Sequence, residues 1–180
     1  MAKKKQKLQF NWGTIIALVV SFAALITTIY EANILKAQQE ALVWPYFEVS
    51  PRFGGNGYSI VALNNGTGPA IITSVECRYG GNPVASFMDV LDILSPDSAV
   101  NYYAFNYRDL NNTVFRAGEE RTVFLMSWTP ATRRLIQNAE SITLKVAYKS
   151  VLGDEWVYDS ETGEHTKGKF KSELEFKTSR

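Results

Sequence analysis

The feature that most constrains this chain is an uncharged apolar stretch near its N-terminus, from Trp12 to Tyr30. It holds about 19 residues, which at 1.5 Å rise per residue is long enough to cross a hydrocarbon core of ~30 Å. Lysines cluster before the stretch at positions 3, 4, 5 and 7, and the residues just after it show no such excess. The positive-inside rule therefore predicts a transmembrane helix over residues 12–30, with the basic residues 1–11 in the cytoplasm and the rest of the chain in the periplasm or outside the cell.

A cleavable signal peptide is the alternative, because it shares the basic start and the hydrophobic run. Three features favour a retained helix. The run exceeds the usual hydrophobic region of ~7–15 residues, Trp12 and Tyr30 stand where interfacial rings belong, and residues 31–36 continue a helical pattern instead of offering a small-residue cleavage site. We therefore expect a bacterial-type, single-pass protein of the cell (inner) membrane, with membrane lipid as its first partner.

Residues 31–43 are rich in helix formers and contain neither glycine nor proline, so we expect one helix through the span and a helical stalk beyond it. Gly13, Ala17 and Ser21 place a small residue at every fourth position of the span, a pattern that lets two transmembrane backbones approach closely. Chance in an alanine-rich helix is the alternative. This row is the candidate helix-packing interface with another integral membrane protein or with a second copy of the chain.

Composition predicts one globular domain after the stalk. The chain is 46% hydrophobic and 13% aromatic, enough for a core, and about 135 residues is a usual single-domain length. Without the four leading lysines there remain 15 basic against 18 acidic side chains, so the body is mildly acidic and offers no electrostatic footprint for nucleic acid. The single cysteine, Cys77, excludes an intramolecular disulfide, and its apolar neighbours predict burial.

From Pro45 onward the apolar residues alternate with period two, which predicts antiparallel strands. In the segment from Ala70 to Tyr79 the alternation puts one set on a single face, namely Ile71, Thr73, Val75, Cys77 and Tyr79. Helical spacing occurs in residues 82–94 and 129–135. Short strands with a turn about every ten residues predict a β-sandwich over residues 44–160, followed by a polar tail or edge strand at 161–180. The predicted strands are 46–49, 58–63, 70–79, 100–107, 112–116, 121–128, 141–150, 155–158 and 169–176.

Residues 64–70 read Asn-Asn-Gly-Thr-Gly-Pro-Ala. With the N-terminal span and the Trp44-Pro45 pair, this turn resembles a group of uncharacterised bacterial single-pass membrane proteins that carry an N-x-G-x-G-P-A turn between two early sandwich strands. The resemblance implies an immunoglobulin-like antiparallel β-sandwich and a surface role instead of a reaction. In physical terms we expect turn chemistry, with glycines adopting positive φ. A phosphate cradle is the alternative, but it requires a helix after the turn, and the residues that follow read as a strand.

Few residues of the sequence are candidates for catalysis or metal binding. The sole histidine, His165, lies in a polar run, where we expect a solvated side chain instead of a metal ligand or a catalytic base. Asp89 and Asp92 lie three residues apart, but we expect them on the polar face of a short helix. No metalloprotease, serine-hydrolase, nucleotide-binding or paired-cysteine motif is present in the sequence, so no cofactor is predicted.

A row of aromatic residues, Tyr103, Phe105 and Tyr107, shares one face of a predicted strand. Burial in the core is the ordinary interpretation. If the row is exposed, it forms a surface that binds a partner protein or stacks on sugars. We therefore expect a non-enzymatic binding or accessory subunit of a membrane assembly. The alternatives are a carbohydrate-binding module of the cell envelope and an envelope hydrolase or transferase with an unrecognised site.

Overall fold

The computed structural model describes residues 11–94, 105–107, 110–129, 132, 141–172, 174 and 176. One continuous helix, α1, spans Trp12–Leu42, as the uninterrupted run of helix formers predicts. Asn11 caps its start, since its side-chain oxygen accepts a hydrogen bond from the backbone N–H of Gly13 at 3.2 Å. The helix is long and apolar enough to cross a membrane, and none of its residues is buried. Contacts divide the chain into two compact units, residues up to Glu40 and residues from Ala41 onward.

The second unit is mainly antiparallel β-structure in two sheets. One sheet has the strand order β1-β2-β7-β5, and the other has the order β10-β9-β8-β3-β4 with β6 pairing beside β3. The elements are β1 Phe47–Gly54, β2 Gly57–Asn64, β3 Ala70–Tyr79, β4 Asn82–Val84, α2 Phe87–Leu94, β5 Phe105–Tyr107, β6 Val114–Phe115, β7 Glu120–Ser127, β8 Ile142–Lys149, β9 Glu155–Asp159 and β10 Glu164–Lys167.

Aromatic side chains fill the core between the sheets. The ring of Phe47 in β1 meets that of Phe115 in β6 at 5.0 Å, and the ring of Phe87 in α2 stacks on that of Phe124 in β7 at 4.9 Å. Phe176 also reaches this core, where it is 1% exposed and packs edge-on against Phe87. Residues 168–172 form no strand, so the strand predicted at 169–176 is wrong in the part that the structure describes.

The predicted inward face of β3 is correct in one half of the strand and wrong in the other. Val75 and Cys77 are buried as expected, but near the start of the strand Ile72 is buried and Ile71 is partly exposed. The reason is a β-bulge, because Ile72 pairs with Tyr148 whereas Ser74, two residues on, pairs with the adjacent residue Ala147. The extra residue, Thr73, shifts the alternation by one position.

The helix predicted over residues 82–94 begins later than expected. Asn82–Val84 form an edge strand, which tolerates Pro83 because an edge position can lack a donor. Helix α2 then starts after Ser86, whose hydroxyl accepts a hydrogen bond from the backbone N–H of Asp89. The predicted strand residues 100–104 and most of the predicted helix 129–135 lie outside the described residues.

The buried position of Cys77 generates a prediction about its reactivity. The thiol is fully buried, and this burial raises its pKa to about 12, so the folded protein offers almost no thiolate. We expect a thiol reagent such as dithionitrobenzoate to leave the native full-length chain unmodified at neutral pH and to modify Cys77 only after unfolding. Asn56→Cys, at an exposed hairpin position, should react at once in the native state. Rapid reaction of native Cys77 would contradict the packing.

Candidate functional site

The end of α1 is bonded to the turn after β2, and these two segments, residues 41–46 and 64–68, form what we call the joint. The carbonyl oxygen of Trp44 accepts hydrogen bonds from the backbone N–H groups of Thr67 at 2.9 Å and Gly68 at 3.2 Å. The hydroxyl of Thr67 donates to the carbonyl oxygen of Ala41 at 2.8 Å. The Thr67 hydroxyl therefore caps one of the carbonyl groups that the C-terminus of a helix leaves without intrahelical partners, and the two N–H groups hold the chain just beyond the helix.

Asn64, the last residue of β2, is fully buried at the centre of the joint. Its side-chain oxygen accepts from the backbone N–H groups of Tyr46 and Gly66, each at 3.1 Å. Its side-chain amide nitrogen donates to three carbonyl oxygens, those of Gly68 at 2.9 Å and of Phe115 and Arg116 at 3.1 Å. The amide thus ties the turn, the start of β1 and the end of β6 to one point.

The glycines of this turn are required for a different reason from the one that the sequence suggests. Neither Gly66 nor Gly68 has a positive φ. A Cβ atom on Gly66 would lie 2.6 Å from the Cα of Pro45, and one on Gly68 would lie 2.5 Å from the Cα of Val43. Only glycine lets the backbone of the turn approach the chain leaving α1 so closely.

The backbone N–H groups of the turn 64–68 are all bonded within the protein, so none is free to bind a phosphate group. The backbone N–H of Asn65 donates to the carbonyl oxygen of Tyr46, that of Gly66 to Asn64, and those of Thr67 and Gly68 to Trp44. The turn then leads directly into strand β3 at Ala70, without a helix. Its role is structural, since it holds the chain that leaves α1 against the two-sheet domain.

His165 lies beside the joint in a cluster of rings, and its expected solvation is wrong. Its ring stacks on Tyr46 with a centroid distance of 4.2 Å and packs against Tyr158 at 4.9 Å. Its Nδ1 atom shares a 2.9 Å hydrogen bond with the hydroxyl of Tyr148. We call Tyr46, Tyr148, Tyr158 and His165 the ring cluster; it joins β1 of one sheet to β8, β9 and β10 of the other.

The second ring nitrogen of His165, Nε2, is buried and has no hydrogen-bond partner among the described residues. In the charged form both ring nitrogens carry a hydrogen, so Nε2 would then hold an N–H group without an acceptor among the described residues. Burial accordingly lowers the pKa of His165, and the nearby carboxylate of Glu48 opposes this shift only in part. Burial also raises the pKa of Tyr148 to about 12. His165 and Tyr148 are therefore both neutral near pH 7.

The sequence-predicted site residues do not come together. Gly13, Ala17 and Ser21 lie on the exposed surface of α1, where the hydroxyl of Ser21 donates to the carbonyl oxygen of Ala17 at 2.8 Å. Tyr103 lies outside the described residues. The backbone of Phe105 and Tyr107 forms strand β5, in register with Met126 and Phe124 of β7.

Two surface clefts are large enough for a small ligand. The first, of about 480 Å³, lies between β3, β8 and β9 and the segment 168–172. The second, of about 580 Å³, lies beside the hairpin 54–57. Their polar lining includes one ion pair each, Glu155 with Lys169 at 3.7 Å and Glu120 with Arg52 through two hydrogen bonds of 2.6 and 2.7 Å.

The chemistry of these clefts is limited in the part of the chain that the structure describes. Each lining contains a single carboxylate, and neither contains a histidine or a cysteine. Within the described ranges there is also no cluster of three or more His, Cys, Asp or Glu side chains that would hold a metal ion.

Comparison with models of protein families and with curated proteins finds no match to this chain. Sequence reasoning missed two features of the structure, the buried amide of Asn64 and the ring cluster around His165. Only the turn motif at 64–70 gave a local signal, because Tyr46 stacks on His165 through a contact between distant segments.

The close approach within the joint predicts an effect of adding one methyl group. We expect Gly66→Ala and Gly68→Ala each to lower the free energy of unfolding by about 1–3 kcal/mol, because the new Cβ overlaps the backbone of residues 43–46. Urea denaturation of the full chain in detergent micelles measures this change. Gly55→Ala is the matched control, since a Cβ there meets no atom within 4 Å. Equal stability of all three variants would refute the close packing.

The lowered pKa of His165 predicts a pH-dependent component of the free energy of unfolding. Because its folded-state pKa is lowered, the unfolded chain takes up a proton below about pH 6.5 that the folded chain does not yet bind. Stability should therefore fall as pH drops through this range, and His165→Phe, which keeps a stacked ring, should remove that part of the loss. Denaturation midpoints of both proteins at about pH 7.5 and 5.5 measure it. Identical losses would show that His165 does not contribute.

Proposed function

We propose that this protein is a membrane-anchored, non-enzymatic binding or accessory subunit of a membrane protein assembly. The proposal rests on the exposure of α1, a 31-residue helix that is long and apolar enough to cross a membrane and has no buried residue. The uncharged stretch of this helix, residues 12–30, is stable only when lipid or another helix covers it. The lysines before the span favour an N-terminus in the cytoplasm and a domain in the periplasm or outside the cell.

The domain that α1 carries is, on this proposal, immunoglobulin-like. Its strand order supports the assignment, because β1-β2-β7-β5 corresponds to the order A-B-E-D of a constant-type immunoglobulin domain. The neighbouring strands β9-β8-β3 correspond to G-F-C of the second sheet. Domains of this type commonly serve as binding modules at cell surfaces.

Carbohydrate binding is the second candidate function, and the first cleft supports it. Its lining combines the rings of Trp156 and Phe170 with the hydroxyl groups of Thr73 and Ser172. Aromatic rings stack on the apolar faces of sugars, and hydroxyl groups exchange hydrogen bonds with sugar hydroxyls. This role is compatible with an accessory subunit that holds an assembly against an envelope polymer.

The small-residue row of α1 gives the experiment that tests the assembly role. Without a hydrophobic gain between helices in lipid, association depends on close packing, and Gly13, Ala17 and Ser21 offer a shallow groove. The hydroxyl of Ser21 is already bonded within the helix, so the row acts through shape. We expect Ala17→Ile to fill the groove and to reduce crosslinking to a partner helix in intact membranes.

Leu18→Ile is the matched control, because it lies about 100° around the helix and also keeps the span apolar. The measurement is membrane crosslinking of the full chain, followed by purification in mild detergent and mass spectrometry of the crosslinked species. Loss of one defined species in Ala17→Ile alone supports the proposal. Equal yields from both variants would show that the row does not mediate association.

A further inference from the structure

Strand β10 is attached to the domain mainly through one inward side chain. It is a four-residue edge strand, Glu164–Lys167, that pairs on one side only, with β9. His165 is its one side chain that is not exposed. Lys167 makes an ion pair with Asp154, but its side chain is 71% exposed, and exposed ion pairs contribute little to stability. The attachment of β10 therefore depends strongly on the packing of His165.

The surroundings of His165 come from three other strands. The groups that act on the ring are two at β1, one on β8 and one on β9, namely Tyr46, Glu48, Tyr148 and Tyr158. Three of the four are phenols, and the hydroxyl of Tyr148 is bonded to the Nδ1 atom at 2.9 Å. The carboxylate of Glu48 would attract a charged ring, but it is already bonded to the side-chain amide of Asn65 at 2.8 Å.

These surroundings favour the neutral ring. On β10 itself, Lys167 lies on the same face as His165, and Glu164 lies on the opposite face. Among the described residues no carboxylate is within ion-pair distance of the ring, and the buried Nε2 atom has no hydrogen-bond partner. A charged imidazole in this position would lose its hydration without gaining a partner, which is unfavourable.

Strand β10 leads directly into one wall of the first cleft, the segment 168–172. The backbone N–H of Gly168 donates to the carbonyl oxygen of Glu155 at 2.9 Å, which extends the pairing of β10 with β9 by one residue. At the end of the segment, the backbone N–H of Ser172 donates to the hydroxyl of Ser74 on β3 at 3.4 Å. The wall is thus held at its start by the ladder of β10 and at its end by β3.

We propose that β10 is a pH-operated latch, in which protonation of His165 releases β10 and Gly168 from β9 and so moves the wall 168–172 away from the first cleft. Water solvates the charged ring in the released state, whereas the held state offers it neither an acceptor at Nε2 nor a carboxylate. The latch goes beyond the proposed function, because it belongs to the domain alone and depends neither on the membrane anchor nor on what the cleft binds.

Linkage gives the direction and the size of the effect. Burial lowers the pKa of His165 in the held state, whereas in water the pKa of a histidine is about 6.5. The released state therefore binds a proton first as pH falls, and its population rises. Between pH 7.5 and 5.5 the rise is at most about tenfold, the limit set by protonation of one histidine with a pKa of ~6.5.

Hydrogen exchange of the full chain in detergent micelles, followed by mass spectrometry at pH 7.5 and 5.5, tests the latch. Labelling times are adjusted for the intrinsic pH dependence of amide exchange. We expect overlapping peptides that cover residues 164–168 to lose protection at pH 5.5 by a factor of up to about ten, and peptides from β2 and β7 to keep theirs. His165→Phe keeps a ring for stacking but cannot bind a proton, so it should abolish this response.

Glu164→Gln is the matched control, because it removes an exposed carboxylate from the same strand and should leave the pH response in place. An identical response in His165→Phe would overturn the role of this histidine. Equal loss of protection in β2 and β7 would show unfolding of the whole domain instead of local release. Protection that stays constant with pH, or that is lost in residues 164–167 but kept at Gly168, would overturn the opening of the cleft.

Discussion

The buried amide of Asn64 is the interaction on which the rest of the domain depends. Burying a polar side chain is unfavourable unless its donors and acceptors find partners, and Asn64 bonds to five backbone groups from three segments. Its own backbone groups add bonds to Glu119 and Gly118 before β7. A hydrophobic core alone does not fix the position of a loop, whereas the side-chain and backbone groups of Asn64 together bond the start of β1, the end of β6 and the segment before β7 to one turn.

The ring cluster also covers the open edge of β1. Phe47 and Val49 direct their backbone groups away from β2, where an unprotected strand edge invites pairing with another chain. The hydroxyl of Tyr158 donates to the carbonyl oxygen of Val49 at 3.1 Å. A second hydrogen bond joins the backbone of Phe47 to the side-chain hydroxyl of Tyr148. Pro51, the next residue on this edge, has no donor. The tyrosines that hold His165 thereby close the edge and tie the two sheets together.

The sequence was sufficient for features that depend on local periodicity and insufficient for those that depend on distant contacts. Helix α1 and strand β3 have the bounds or nearly the bounds that their apolar patterns predict. The inward face of β3 was wrong before its bulge, because one inserted residue reverses an alternation without leaving a local sequence signal. His165 appeared solvated for a related reason, since its polar neighbours form an edge strand and its burial comes from Tyr46, more than a hundred residues earlier.

The turn 64–68 and the loop between β8 and β9, which lie at the same end of the domain, are stabilised in the same way. Asn64 and Ser150 are polar residues buried beneath a loop, and each bonds to backbone groups that the loop would otherwise turn toward water. At the other end, the hairpin 54–57 relies on glycines, and its apolar neighbour Phe53 is 51% exposed. A buried hydrogen-bond network gives a single geometry, whereas glycine-rich turns permit several. The turn 64–68 and the loop 150–154 are therefore each held in one geometry by a buried polar side chain.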